Sequence, residues 1–248
     1  MSDASLHGLR HWSISTVNKA EKDRGLLLLH IKGLRGSVGM AAYRGTASEA
    51  GVTAGLMDPS LPVADAQEIA LKEFDRLTAL NRGSTIDKER TAVPRIVENA
   101  LNELRPYGVP SQAQYKIEWT HPKLRLPFLG FADFFWEDHG IIVDLKTTLR
   151  MEDDATDEHA RQVASYCMGI SDNLDGRVTY ATPTKVATYR VEDMRERVET
   201  LVEITARLER WLMSVDSIDE LCGDITPNYS LFYYDQQMKA AGKQLFGI

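Results

Sequence analysis

The chain has 248 residues, 43% of them apolar, and a formal net charge of −7. That length suffices to bury a sizeable core in one globular domain, while the acidic balance argues against a broad phosphate-binding surface. The cysteines, Cys167 and Cys222, are too few for a four-thiolate iron–sulfur cluster within the chain.

Along the chain, Ser13 to about Arg24 reads as a short helix opened by a serine cap, followed by a glycine-rich irregular link through Gly39. Leu26-Leu27-Leu28-Leu29 is far too short to cross a bilayer, and the N-terminus lacks the charged-then-apolar design of a signal peptide. A soluble, cytoplasmic protein with no membrane association is expected. Helices then dominate to about Tyr107. Apolar spacings of three and four recur in Pro62 to Leu80, at Ile69, Ala70, Phe74, Leu77 and Leu80, and again from Val93 to Leu104. Strands are predicted at about 113–120, 126–137 and 140–148, then a helix from Thr156 to Tyr166 with an acid-rich first turn. A hairpin follows, Arg177 to Thr182 and Lys185 to Arg190 around Pro183-Thr184, and then a long helix from Val191 to Ser214. The sequence thus reads as one α/β domain. Residues 1–110 are its mainly helical part, 111–215 its core and 216–248 an extension with Tyr229, Phe232, Tyr233 and Tyr234 ahead of a short helix.

Chemistry concentrates between Gly130 and Tyr166. Ile141-Ile142-Val143-Asp144-Leu145-Lys146 is an apolar, β-branched run, and successive strand residues face opposite ways. Asp144 and Lys146 therefore share one face, while Val143 and Leu145 point into a core. The turn Asp138-His139-Gly140 joins this strand to the one before it. Pairing around that turn lets Asp133 and Asp144 converge. Two converging carboxylates suit a hard cation such as Mg²⁺ or Mn²⁺, completed by water and phosphate oxygens. The triplet Asp144-Leu145-Lys146 is the only acid-x-Lys in the chain. Its weight comes from Gly130-Phe131-Ala132-Asp133 preceding it across a hairpin and from Gln162-x-x-x-Tyr166 following on a helix.

This ordered set resembles the PD-(D/E)xK nuclease superfamily, in its RecB-like and phage-exonuclease branch. The resemblance implies a restriction-endonuclease-like core, a central mixed sheet flanked by helices, with a helical N-terminal region. It implies that Asp133, Asp144 and the Leu145 main-chain carbonyl bind the metal and that Lys146 positions or activates the attacking water. Gln162 and Tyr166, one helical turn apart, would face the nucleic-acid backbone. Arg44-Gly45-Thr46-Ala47-Ser48-Glu49 resembles the R-G-x-x-x-(H/E) motif of the same branch, with Glu49 as a further metal ligand in place of the commoner histidine. Arg44 would contact a phosphate, and Thr147 would hydrogen-bond one.

The implied activity is Mg²⁺- or Mn²⁺-dependent hydrolysis of DNA phosphodiesters at ends, in recombination, repair or replication. DNA, as ends or single strand, is the implied partner, with room for a recombination or replication protein. A phage-encoded enzyme would work in the host cytoplasm. A structure-specific or restriction-type endonuclease uses the same site, and a subunit that binds nucleic acid without cleaving it is the alternative of another class. RNA as substrate and the oligomeric state stay open. Lys146→Ala or Asp144→Ala is expected to abolish cleavage with the fold intact.

Other residues read more plainly. The six histidines form no zinc pattern, and His159 reads as an incidental surface group. Glu118 reads as an edge charge or an auxiliary acid. Lys123, Arg125, Lys146, Arg150 and Arg161 are the cations expected to line a cleft that guides a strand.

Overall fold

A computed structural model describes residues 6–81 and 83–247. Among them are nine α-helices and one five-stranded sheet with the strands in sequence order. The strands are β1 (Gln112–Trp119), β2 (Phe128–Trp136), β3 (Ile141–Thr147), β4 (Asp175–Ala181) and β5 (Val186–Arg190). β3 runs parallel to β4, whereas β2–β3 and β4–β5 are antiparallel. The fold is α/β with a mixed sheet flanked by helices, the arrangement expected of a restriction-endonuclease-like core. Residues cluster into two compact units, discontinuous along the chain. One comprises residues up to Ser37, Lys116–Gly130 and Asp193 onward; the other comprises Val38–Tyr115 and Phe131–Glu192. The units cut across the three successive stretches read from the sequence, and the chain crosses between them within β1 and β2.

In the first unit the predicted serine cap is present. Ser13 accepts from the Thr16 N–H at 3.2 Å and opens α1 (Ile14–Lys22). The first part of the expected link is instead a helix, α2 (Arg24–Ile31), capped by Asp23 through the Gly25 N–H at 2.7 Å, and the stretch from Lys32 to Gly39 is irregular as expected. All four leucines of its run are buried. A helix apolar all round shows no 3.6-residue stripe, so periodicity alone misses it. With α7 (Met194–Leu212), α8 (Ile218–Asp224) and α9 (Gln236–Phe246), these helices enclose a core containing Trp12, Phe128 and Leu208. Glu209 lies in that core, 2% exposed, and accepts from the Trp12 indole at 3.0 Å and from the N–H groups of Arg125 at 2.8 Å and Leu126 at 3.1 Å. Three donors satisfy a carboxylate that burial would otherwise penalise.

The second unit holds the motif region. α3 (Met40–Met57), α4 (Val63–Thr78) and α5 (Ile86–Leu104) pack on one another and on Phe134, Trp136, Val143, Leu145 and Ala181 of the sheet. Close approach of α3 and α4 requires Gly51, because a Cβ there would lie 2.5 Å from the Ala66 carbonyl oxygen. β3 and β4 run parallel, a connection that needs a crossover, and α6 (Asp157–Ile170) supplies it, contacting both strands. The expected turn between β2 and β3 is a 3₁₀ turn, Glu137–His139, closed by Gly140 in the left-handed conformation at φ 61°. Glycine takes that conformation at no steric cost.

Candidate metal centre

The β2–β3 ladder pairs Phe134 with Val143, Phe135 with Ile142 and Trp136 with Ile141. Continuing that register by one step sets Asp133 opposite Asp144. Residues opposite one another in an antiparallel pair project on the same side, so the hairpin is what unites the two acids. At this step side chain replaces ladder: Asp133 Oδ2 accepts the Leu145 N–H at 2.7 Å. Leu145 keeps its side chain in the core, 8% exposed, and its peptide lies between the acid and the lysine.

Alternation along β3 puts Asp144 and Lys146 together. Lys146 Nζ lies 2.6 Å from Asp144 Oδ2, and the Asp144 side chain is 2% exposed. Lys146 Nζ also donates to Gln162 Oε1 at 3.2 Å, while Gln162 Nε2 donates to the Tyr166 hydroxyl at 2.7 Å. Helical spacing on α6 makes that last contact possible. A relay therefore runs from Tyr166 through Gln162 to the ammonium group. Tyr166 is buried at 6% exposure, behind the site and not on a surface open to a strand. It touches the chemistry through Gln162.

Glu49 reaches the site from α3. The amide nitrogen of Gln114, on β1, donates to both Glu49 Oε1 and Asp133 Oδ1, the latter at 3.0 Å. Desolvation raises the Glu49 pKa, and the Asp144 charge raises it further against the Gln114 hydrogen bond. Asp133 is pushed well above the usual carboxylate range by burial and then by the charges of Asp144 and Glu49. Burial would lower the Lys146 pKa, but Asp144 and Asp133 outweigh it and hold the ammonium protonated. The set is thus short of positive charge.

That is the chemistry a divalent cation fits. Glu49, Asp133 and Asp144 offer hard oxygen donors, which suit Mg²⁺ or Mn²⁺ over softer ions. Their present partners are cationic or donor groups, Lys146 on Asp144 and Gln114 on the other two. Among the described residues, no three His, Cys, Asp or Glu side chains converge closely enough to hold an ion as they stand.

Arg44 departs from its expected phosphate contact. It is 4% exposed, paired with Glu89 of α5, and its Nη2 donates to the Thr147 carbonyl at 3.1 Å. A guanidinium held inside the unit in this way ties α3, α5 and the end of β3 together. Thr147 lies at that same strand end, half-buried, its carbonyl already engaged.

Two further residues take parts that the sequence reading does not give them: Gln114 is absent from it, and His159 is misplaced by it. Gln114 sits on the exposed side of β1 with Lys116 and Glu118, and nothing in the alternation marks it. His159 is half-buried on α6, its Nδ1 2.6 Å from the Tyr180 hydroxyl, and Tyr180 pairs in register with Lys146. Burial and then the Lys146 charge hold its pKa below the usual histidine value. It is therefore built into the unit, not an incidental surface group. Of the cations expected to line a cleft, Lys123 is paired with Glu203 in the other unit, where Glu118 pairs with Lys116 at 3.2 Å.

No family model and no curated protein matches the chain. Among solved structures, the chain is similar to SSO0001, with a TM-score of 0.34 and 14% identity over 84% of this chain and 89% of that one. The likeness is too distant to bear on the site. Among the described residues, no helix is long and apolar enough to cross a membrane.

Proposed function

We propose that this chain is a divalent-cation-dependent deoxyribonuclease of the PD-(D/E)xK type, hydrolysing phosphodiesters at DNA ends. One observation carries the reading: Asp133 and Asp144 stand at adjacent positions of paired strands, beside a Lys146 oriented by Gln162. The ordered motifs of the RecB-like and phage-exonuclease branch support it, and the preference for ends rests on that resemblance. The reading has the protein acting in the cytoplasm, that of the host if phage-encoded, in recombination, repair or replication.

Asp133, Asp144, Glu49 and the Leu145 carbonyl would hold Mg²⁺ or Mn²⁺. The cation, when bound, would offset the charge that builds on the scissile phosphate and make water a better nucleophile. Lys146, kept protonated by its acidic neighbours, acts as a hydrogen-bond donor that orients the attacking water or a phosphate oxygen. Gln162 fixes the ammonium group from one side, and Tyr166 fixes Gln162. Asp133 ties its own strand to the peptide of Leu145, which keeps the acid in register with the strand that bears the lysine.

The test is incubation of purified protein with end-labelled linear duplex and closed circular DNA, with Mg²⁺, Mn²⁺ or EDTA. Loss of the linear substrate alone, dependent on the cation and absent in Asp144→Asn, is the expected result, and the label gives the polarity. Cut circles would make the enzyme an endonuclease. Cleavage of neither DNA, with or without RNA cleavage, would overturn the deoxyribonuclease reading.

A further inference from the structure

The Gln114 side chain has an unusual seat. Its backbone adopts φ 52° inside β1, a conformation that non-glycine residues rarely take and that persists only when held by its surroundings. Residues held in such sparsely populated conformations cluster at active sites and ligand clamps. Here the amide nitrogen lies between Glu49 Oε1 and Asp133 Oδ1, the space a shared cation would take. A neutral donor can bridge two carboxylates, but it brings no positive charge.

We infer that Gln114 competes with the divalent cation for Glu49 and Asp133, its amide bridging the two acids until an ion displaces it. The inference rests on the cation-site reading of those acids. It makes Gln114 a positioning residue that sets how much divalent ion is needed to load the site. On loading, two hydrogen bonds to carboxylates are given up and the amide turns to water, which its exposed position allows. The side chain thus keeps the acids together at the cost of affinity.

The experiment is titration calorimetry of the full chain with Mn²⁺ alone, for wild type, Gln114→Ala and Gln114→Gly, with thermal unfolding in EDTA. Alanine removes the amide and keeps the left-handed backbone strain. Glycine removes both, so it guards against a variant that fails to fold. Both should bind Mn²⁺ at least about tenfold more tightly than wild type, the low end for one hydrogen bond to a charged group where two are given up, and alanine should lower the unfolding midpoint in EDTA. Binding by the variants alone would support the inference as well. Unchanged or weaker binding in both, with wild type still binding, would overturn it and leave the nuclease reading standing. Absence of binding in all three proteins would overturn both.

Discussion

Leu145 donates its backbone N–H to the side chain of Asp133 across 2.7 Å, so an acid on one strand substitutes for a missing ladder bond on the next. That bond fastens Asp133 where burial and the charges of Asp144 and Glu49 raise its pKa. An acid whose folded pKa lies above its unfolded value binds more protons when folded. Stability is then lost as pH rises from the unfolded carboxylate range, about 4, through the folded value. Asp133→Asn removes the repulsion and keeps an oxygen for the Leu145 N–H, at the loss of one acceptor for the exposed Gln114 amide, which water can replace. In EDTA at neutral pH its unfolding midpoint should exceed wild type, by about 2–4 °C for each kcal/mol of repulsion relieved, while cleavage is lost. A lower midpoint would show that Asp133 stabilises the fold.

Lys146 carries a second consequence, one that the expectation of an intact fold leaves out. Asp144 is almost wholly buried and Lys146 is its ion-pair partner. Removing one member of such a pair leaves an uncompensated charge, at about 3–5 kcal/mol. Because the Lys146 side chain is 25% exposed, water recovers part of that, and about 3 kcal/mol is expected for Lys146→Ala in EDTA. Adding Asp144→Asn to Lys146→Ala should restore most of the stability and none of the cleavage. Urea unfolding of the single and double variants measures this, and a double variant no more stable than Lys146→Ala would refute the pairing.

Arg44 separates architecture from substrate contact. With both members of its pair with Glu89 buried, Arg44→Ala should destabilise the protein by about 3–5 kcal/mol. Glu89→Gln in the same chain should recover part of the loss. DNA affinity of the folded protein, followed by fluorescence anisotropy, should not change. A fall in affinity at wild-type stability would return Arg44 to the phosphate.

Legibility from sequence tracks how local each signal is. β3 and its facing of Asp144 and Lys146 follow from alternation within seven residues, and the β2–β3 turn follows from Gly140. The hairpin of β4 and β5 around Pro183-Thr184 is equally local, and so is the serine cap at Ser13. What escaped depends on distant partners. Leu26–Leu29 are helical because the first unit surrounds them with apolar side chains, which no periodic stripe records. Arg44 is internal because Glu89, 45 positions away, meets it, and a motif cannot say which way a guanidinium turns. Gln114 reaches Glu49 and Asp133 from a left-handed backbone conformation, at φ 52°, that its strand-like neighbours conceal.

Tyr166 tests whether the relay behind Lys146 matters to turnover. Its hydroxyl accepts from Gln162, which in turn accepts from Lys146, and burial pushes the phenol pKa up to about 12, so the group stays neutral at neutral pH. Tyr166→Phe removes one hydrogen bond and no packing volume of consequence, about 1 kcal/mol. If Tyr166 acts by orienting Gln162, kcat should fall by about fivefold with KM for DNA unchanged, since that scale of energy enters only where Lys146 meets the reacting groups. Gln162→Ala should lower kcat at least as far, and Tyr166→Phe should add little to it, because the two residues act in series. A rise in KM with kcat intact would instead mean that the Tyr166 hydroxyl binds the DNA strand directly, despite its 6% exposure.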